Sequence, residues 1–217
     1  MKERGKIFRS EEVLAILDGR KTMFREPVLT YRRPHVPAKP NSGLLIYYDN
    51  AAWDKETWQS NKHHGYYEPI CKSKYGNTGD RIWVKETWGI HRDFETTTRG
   101  IGFVGYRATE DKGCPHTLIS KWRSSQSMPR WTSRITLKIV NVKVEKIQNI
   151  ICHGDEILAE GIEFDPEWTM IGPCEADSGG LIEKISELWN SIYAKRGLGW
   201  DVNPWVWCYE FKRLTDG

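Results

Sequence analysis

Lys21 stands in the run Gly19-Arg20-Lys21-Thr22-Met23-Phe24-Arg25. A lysine of ordinary pKa, about 10.4, is protonated at neutral pH and is a poor base. To accept a proton it must be desolvated or placed beside another cation, and Arg20 and Arg25 are the nearest cations in sequence. As an ammonium, Lys21 suits phosphate or base recognition, or the last carbonyls of a helix that ends just before it. In a second cluster, Lys121, Arg123, Arg130 and Arg134 interleave with Trp122 and Trp131. Cations contact phosphate while rings and guanidinium planes stack on unpaired bases, so this pattern suits single-stranded nucleic acid. It equally suits the entry to a strand that buries a tryptophan. Glu86, flanked by Trp83 and Trp88, stands at the end of a short strand from which its carboxylate could reach a cleft.

Other reactive side chains lack the spacing their chemistry needs. His63-His64, Cys71 and Cys152-His153 contain no local pair at the spacing of a zinc site. Ser125, Ser127 and Ser133 have no histidine partner by motif, so a hydroxyl-histidine triad is not indicated. No metal and no cofactor are expected. The five cysteines are odd in number, far apart and without a Cys-x-x-Cys pair, which points to reduced thiols rather than a disulfide framework.

The elements that must position these groups are partly legible. Ser10 is placed to cap a helix in which Glu11 and Glu12 suit the positive end of the dipole and Val13, Leu14 and Leu17 form an apolar face. Gly19 fits the left-handed position just past its end. Gly79-Asp80 reads as a turn before a strand, Arg81-Ile82-Trp83-Val84, and residues 102–107 as another. From Arg134 to Val140, apolar Ile135, Leu137 and Ile139 alternate with polar neighbours, and the pattern resumes at Val142 and Val144. Asp155 to Glu160 reads as a short helix ended by Gly161. A longer helix carries Leu181, Ile185, Leu188, Trp189 and Ile192 in one stripe. Trp205, Trp207, Tyr209 and Phe211 give a closing strand an aromatic face. Strands outnumber helices without regular alternation, which predicts an α+β fold with a small mixed barrel rather than a doubly wound sheet.

The chain has 217 residues, 32 Lys+Arg against 29 Asp+Glu, and a formal charge of +3. Near-neutrality excludes a polybasic arm or an acidic tail as the main device, so any anion-binding surface must come from local clustering. Aromatics make up 12% of the chain, with 11 Trp, 9 Tyr and 6 Phe. Many fall between about residues 27 and 77, a stretch of prolines, glycines and charges that reads as an insertion into a single domain spanning 1–217. No segment approaches the roughly 18 apolar residues needed to span a bilayer, and the opening Met1-Lys2-Glu3-Arg4-Gly5-Lys6 is not an apolar signal core. The expectation is a cytoplasmic protein that makes no use of a membrane.

Gly19-Arg20-Lys21-Thr22, the segment Gly79 to Trp88, and Glu160-Gly161-Ile162 together resemble the ASCH domain of the PUA-like superfamily. Met128-Pro129-Arg130-Trp131-Thr132-Ser133-Arg134-Ile135, Leu188-Trp189-Asn190-Ser191-Ile192 and Asn203-Pro204-Trp205-Val206-Trp207 are similar to the longer version found in bacteriophage and prophage proteins. The resemblance covers most of the chain and is weakest over the insertion. It implies a PUA-like β-barrel with flanking helices, whose cleft, lined by the glycine-lysine motif, faces RNA or a modified nucleoside.

A bacterial branch of that family hydrolyses the acetyl amide of N4-acetylcytidine. There a lysine accepts a proton, a threonine three residues later is the nucleophile, and a glutamate in the short downstream helix donates a proton. Lys21 matches the lysine and Glu160 the glutamate, but the threonine position is Phe24, which has no nucleophilic atom. Thr22 is one residue after Lys21, where a different side-chain direction is expected. The leading expectation is therefore binding of RNA or a modified nucleoside or nucleotide, with Lys21 and Glu160 at the centre. Arg20, Thr22, Arg25, Glu86, Arg130, Trp131 and Arg134 are the further candidate contacts. Deacetylation of N4-acetylcytidine through a water held by Lys21 and Glu160 is the alternative. A ribonuclease and a phage module that binds a host protein are the remaining readings.

Overall fold

The computed structural model describes residues 1–29, 36–37, 44–47, 68–91, 104–112, 119–152, 154–163 and 178–214. Its strands are β1 (Glu3–Ile7), β2 (Met23–Pro27), β3 (Val36–Pro37), β4 (Leu44–Tyr47), β5 (Glu68–Lys72), β6 (Arg81–Lys85), β7 (Trp88–His91), β8 (Val104–Tyr106), β9 (Ile119–Arg123), β10 (Thr136–Lys146) and β11 (Trp205–Leu214). The helices are α1 (Ser10–Leu17), α2 (Gly154–Ala159) and α3 (Ser178–Tyr193). This is a mixed α+β fold, as the patterning predicts, but the described strands do not close into the small barrel that it also predicts. No helix among the described residues is long and apolar enough to cross a membrane.

Five strands form the main sheet in the order β1-β6-β10-β11-β2, and two three-stranded sheets, β3-β4-β5 and β8-β7-β9, accompany it. In the main sheet β1 runs parallel to β6 and the other pairings are antiparallel. Its edges, β1 and β2, share no ladder, so the sheet is open along that line. The sheet nevertheless curves enough for side chains of the two edges to meet: Lys6 of β1 donates to Glu26 of β2 at 2.6 Å.

The long pair β10–β11 carries the core. Leu137 and Ile139 are fully buried, and then Val142 is, so the inward face changes parity within one strand. A bulge between Ile139 and Asn141 causes this, because one extra residue shifts every later side chain to the opposite face. In β11 both faces are covered. Trp207, Tyr209 and Phe211 enter one apolar cluster with Phe8, Phe24 and Ile82; Val206 and Cys208 enter another with Ile157, Ile185 and Trp189. The predicted aromatic face is there, and the opposite face is apolar too, because α2 and α3 pack on it.

Helix α1 begins one residue away from the predicted cap. Arg9, not Ser10, has the extended N-cap conformation, and its amide is satisfied by the Glu12 carboxylate at 2.9 Å. A side chain of the first turn thus does what the Ser10 hydroxyl was expected to do. Gly19 ends the helix with φ +79°, the left-handed conformation expected of it. Of the aromatic-rich 27–77 stretch, Tyr75 is buried against Phe24 and Tyr209. The side chains of Tyr31, Tyr47, Tyr48, Trp53, Trp58, Tyr66 and Tyr67, and of His63, His64, Cys71, Cys152 and His153, lie outside the described residues.

Candidate functional site

Lys21 follows Gly19 and Arg20 out of α1 and forms an isolated antiparallel bridge with Glu160, the residue after α2. The approach is held by backbone bonds on both sides, from the Lys21 amide to the Ala15 carbonyl at 3.0 Å and from the Thr22 amide to the Ala159 carbonyl at 2.8 Å. It is close enough to require a glycine. At Gly161, φ is +83°, and an added Cβ would sit 2.9 Å from the Lys21 Cβ and 3.0 Å from that of Ala15.

The bridge puts two buried ions in contact. The Lys21 ammonium, 2% exposed, donates to the Glu160 carbonyl at 2.6 Å and to Glu160 Oε2 at 3.0 Å, and lies 3.4 Å from Glu12 Oε1. These acceptors match the three hydrogens of an ammonium. The other Glu160 oxygen accepts from Arg25 at 2.8 Å. Arg25 continues to Glu145 at 3.0 Å and to Glu156, and Lys143 closes the network on Glu156 at 2.5 Å and on Glu145 at 3.2 Å. Pairing of this density is what a set of buried charges requires.

The electrostatics follow from that packing. Burial works to lower the Arg25 pKa, but the charges of the Glu160 and Glu145 carboxylates, with the hydrogen bond to Glu160, outweigh it and raise it. Burial pushes the Glu145 carboxyl up, and hydrogen bonding from Cys208 with the charges of Arg25 and Lys143 brings it net below its ordinary value. The Cys208 thiol, which donates to Glu145 at 3.1 Å, is pushed well above the usual range by burial. It is therefore a structural donor, not a nucleophile.

Lys21, Arg25 and Glu160 line one wall of a cleft of about 920 Å³ that opens between the unpaired edges β1 and β2 and is flanked by α3. Typical small-molecule sites span about 300–1,000 Å³ and are largely aromatic and apolar with a few polar groups. Here Phe24, Tyr75, Trp189, Tyr193, Trp207 and Tyr209 supply the rings. Lys6 and Glu26 form a second polar pair in the wall. The Lys6 ammonium sits 4.4 Å from the Phe24 ring centroid and 5.1 Å from those of Phe8 and Tyr75, while Tyr75 donates its hydroxyl to Glu26 at 3.0 Å. Burial pushes the Glu26 carboxyl up; Lys6, Lys74 and the Tyr75 hydroxyl more than offset this and hold it below its ordinary value.

Lys6 and Glu26 escape sequence reasoning, whereas Tyr75 belongs to the aromatic-rich stretch whose rings are candidates for the cleft wall. Strand β1 reads Glu-Arg-Gly-Lys-Ile, with no alternation to mark Lys6 as an inward position. The one available signal, a basic residue two before Phe8 in a non-helical run, is too common to single it out.

The remaining candidates lie elsewhere, and none of them is in the cleft lining. Arg134 holds Glu86 through two parallel bonds of 3.0 and 2.9 Å, stacks 4.0 Å above Tyr106 and reaches Thr109. Glu86 is only 2% exposed, so its carboxylate is used up in fixing that arginine. Arg130 pairs with Glu3 at 2.8 Å. Trp131 is 64% exposed, with its ring edge-on to buried Trp88. Arg20 lies between Asp18 and Glu163 at 3.3 and 3.4 Å on the surface. Thr22 turns its side chain to solvent, and the family's threonine position is occupied by core: Phe24 is 2% exposed and stacked on Tyr209 at 4.6 Å. Comparison of the chain with protein-family models, with curated proteins and with solved structures gives no match in any of the three.

Proposed function

We propose that the chain is an ASCH-type domain of the PUA-like superfamily that binds RNA or a modified nucleoside or nucleotide in the cleft centred on Lys21. In this reading the five-stranded sheet is a PUA-like barrel parted between β1 and β2, and the parting is the ligand entrance. The observation that carries the reading is the composition of the cleft: a volume of about 920 Å³ with aromatic walls and the buried Lys21–Glu160 bridge. A planar base stacks on such rings and presents polar edges to paired charges, which is how unpaired bases are held elsewhere. Isothermal titration calorimetry with cytidine, its monophosphate and short single-stranded RNA tests it. Saturable binding that Lys21→Met weakens supports the reading, and heat-silent titration with every ligand at millimolar concentration refutes it.

Amide hydrolysis is the second reading, favoured by the contact between Lys21 and Glu160 at the cleft wall. Its covalent form has no support. Neither Ser nor Thr lines the cleft among the described residues. The hydroxyls that do are phenols; burial raises Tyr209 to about 12 and raises Tyr75 and Tyr193 further. Attack by a water held between the pair is the form left. Incubation with N4-acetylcytidine should then release cytidine with wild type and not with Glu160→Gln; no cytidine at stoichiometric enzyme removes this reading.

A further inference from the structure

The charges lining the cleft separate into two sets. Inside, Lys6, Lys21 and Arg25 face Glu12, Glu26 and Glu160, and each of these carboxylates lies within salt-bridge distance of one of the three cations. At the mouth stand Arg9, Lys74, Lys85 and Arg196, and the described lining contains no other carboxylate. Arg9 and Arg196 are exposed, and among the described residues neither has an ion-pair partner. Arg196 rests on the Tyr193 ring at 5.8 Å, and Lys85 donates to the Gln126 carbonyl at 2.7 Å. Lys74 is 68% exposed and only 3.5 Å from the already shared Glu26. Arg9, Lys85 and Arg196 have no carboxylate within salt-bridge distance among the described residues, and Lys74 shares one that Lys6 already holds. Three cations without carboxylate partners thus stand at the entrance to the aromatic cleft, where low-dielectric walls focus the field on an incoming anion.

We infer that the ligand of the cleft carries a phosphate, with its ring system inside and the phosphate at the mouth among Arg9, Lys85 and Arg196. This rests on the reading of the cleft as a base-binding site and adds to it the chemical class of the ligand: a nucleotide, free or within a single strand, and not a bare nucleoside. The balanced interior has no cation left over for a phosphate, whereas guanidinium and ammonium groups at the mouth bond phosphate oxygens with their charge unspent. It also identifies Arg9 and Arg196 as binding residues. Neither belongs to a motif that the family resemblance rests on.

Calorimetry of the full chain with cytidine, cytidine monophosphate, tetracytidylate and inorganic pyrophosphate, at low and at physiological salt, decides the matter. The monophosphate should bind at least about tenfold more tightly than cytidine, since one net charge-assisted hydrogen bond accounts for that factor. The advantage should shrink as salt rises. It should vanish in Arg9→Gln/Arg196→Gln while cytidine affinity is kept, with a circular-dichroism melt confirming the fold. Lys85→Gln, whose ammonium meets a carbonyl and the Trp83 ring but no carboxylate among the described residues, should lose part of it. Tetracytidylate tighter than the monophosphate assigns the phosphate to a strand, and equal binding assigns it to a free nucleotide; both support the inference. Equal binding of cytidine and its monophosphate overturns it and leaves the base-binding reading standing. Pyrophosphate binding as tightly as the monophosphate keeps the phosphate site and overturns base binding. Silence with all four overturns both.

Discussion

Replacing Phe24 by threonine restores, in the sequence, the hydroxyl that the deacetylating relatives use, and the structure says that it should wreck the protein instead. The Phe24 ring is 2% exposed. It stacks on Tyr209 at 4.6 Å, meets Tyr75 and Phe8 edge-on at 5.5 and 5.8 Å, and forms the nearest face under the Lys6 ammonium. Truncating a buried phenylalanine costs about 3–5 kcal/mol. Threonine keeps one methyl group and leaves its hydroxyl to find a partner among rings. Losing the cation–π contact adds about 0.5–2 kcal/mol. A net loss of about 4 kcal/mol is expected from a total stability of about 5–15 kcal/mol. In urea, with a slope of about 2–3 kcal/mol/M, the midpoint should fall by about 1–2 M. Phe24→Leu, which keeps volume but not the ring, should lose about half as much. Neither variant should release cytidine from N4-acetylcytidine. A loss below about 1 kcal/mol for Phe24→Thr, or deacetylation by it, would show that the ring is not packed against Phe8, Tyr75 and Tyr209 as the structure has it.

Arg134→Lys replaces a two-bond fork on buried Glu86 by a point charge that cannot stack on Tyr106, so unfolding free energy should drop by about 1–3 kcal/mol with ligand affinity unchanged; an affinity loss without a stability loss would return Arg134 to the ligand-binding set. Trp131→Ala should change stability by less than about 0.5 kcal/mol and leave mononucleotide affinity alone, since the ring is exposed and outside the cleft lining. Glu26 and Glu145 are held below the ordinary carboxyl value of 4.5, so their stabilising contribution is complete above that pH and is lost as pH falls through the lowered values. Thermal midpoints should therefore be flat from neutrality to about pH 5 and decline below about pH 4.5. Glu26→Gln should start lower at neutrality and decline less steeply; an unchanged acid limb would mean that the Lys6–Glu26 pair does not hold the open edge.

Much of the local structure can be read from composition and period, because it depends on neighbours in sequence. Gly19 ends α1 because a left-handed residue there is nearly free only for glycine, and no distant residue has a say in that. The stripe on α3 and the aromatic alternation on β11 announce themselves for the same reason. The α+β class follows from counting such elements. Lys21, Arg25 and Glu160 were nominated from the sequence, two of them by a resemblance to known motifs, but their contact spans 139 positions and no periodicity encodes it.

What the tertiary structure decided are the effects that depend on which strand lies beside which. The bulge after Ile139 reverses the inward face of β10, and only the pairing with β11 shows it. Arg134 and Glu86 read as two candidates for a ligand and became partners of each other, because an arginine fork satisfies a buried carboxylate more fully than water can at a strand end. Lys6 and Glu26 look unremarkable in sequence and meet in the cleft wall because the main sheet curves without closing. Cation and ring counts were visible from the start; which charges cancel inside the cleft, and which are left at its mouth, is a property of the fold, since neutralisation depends on a few ångströms of separation and not on order along the chain.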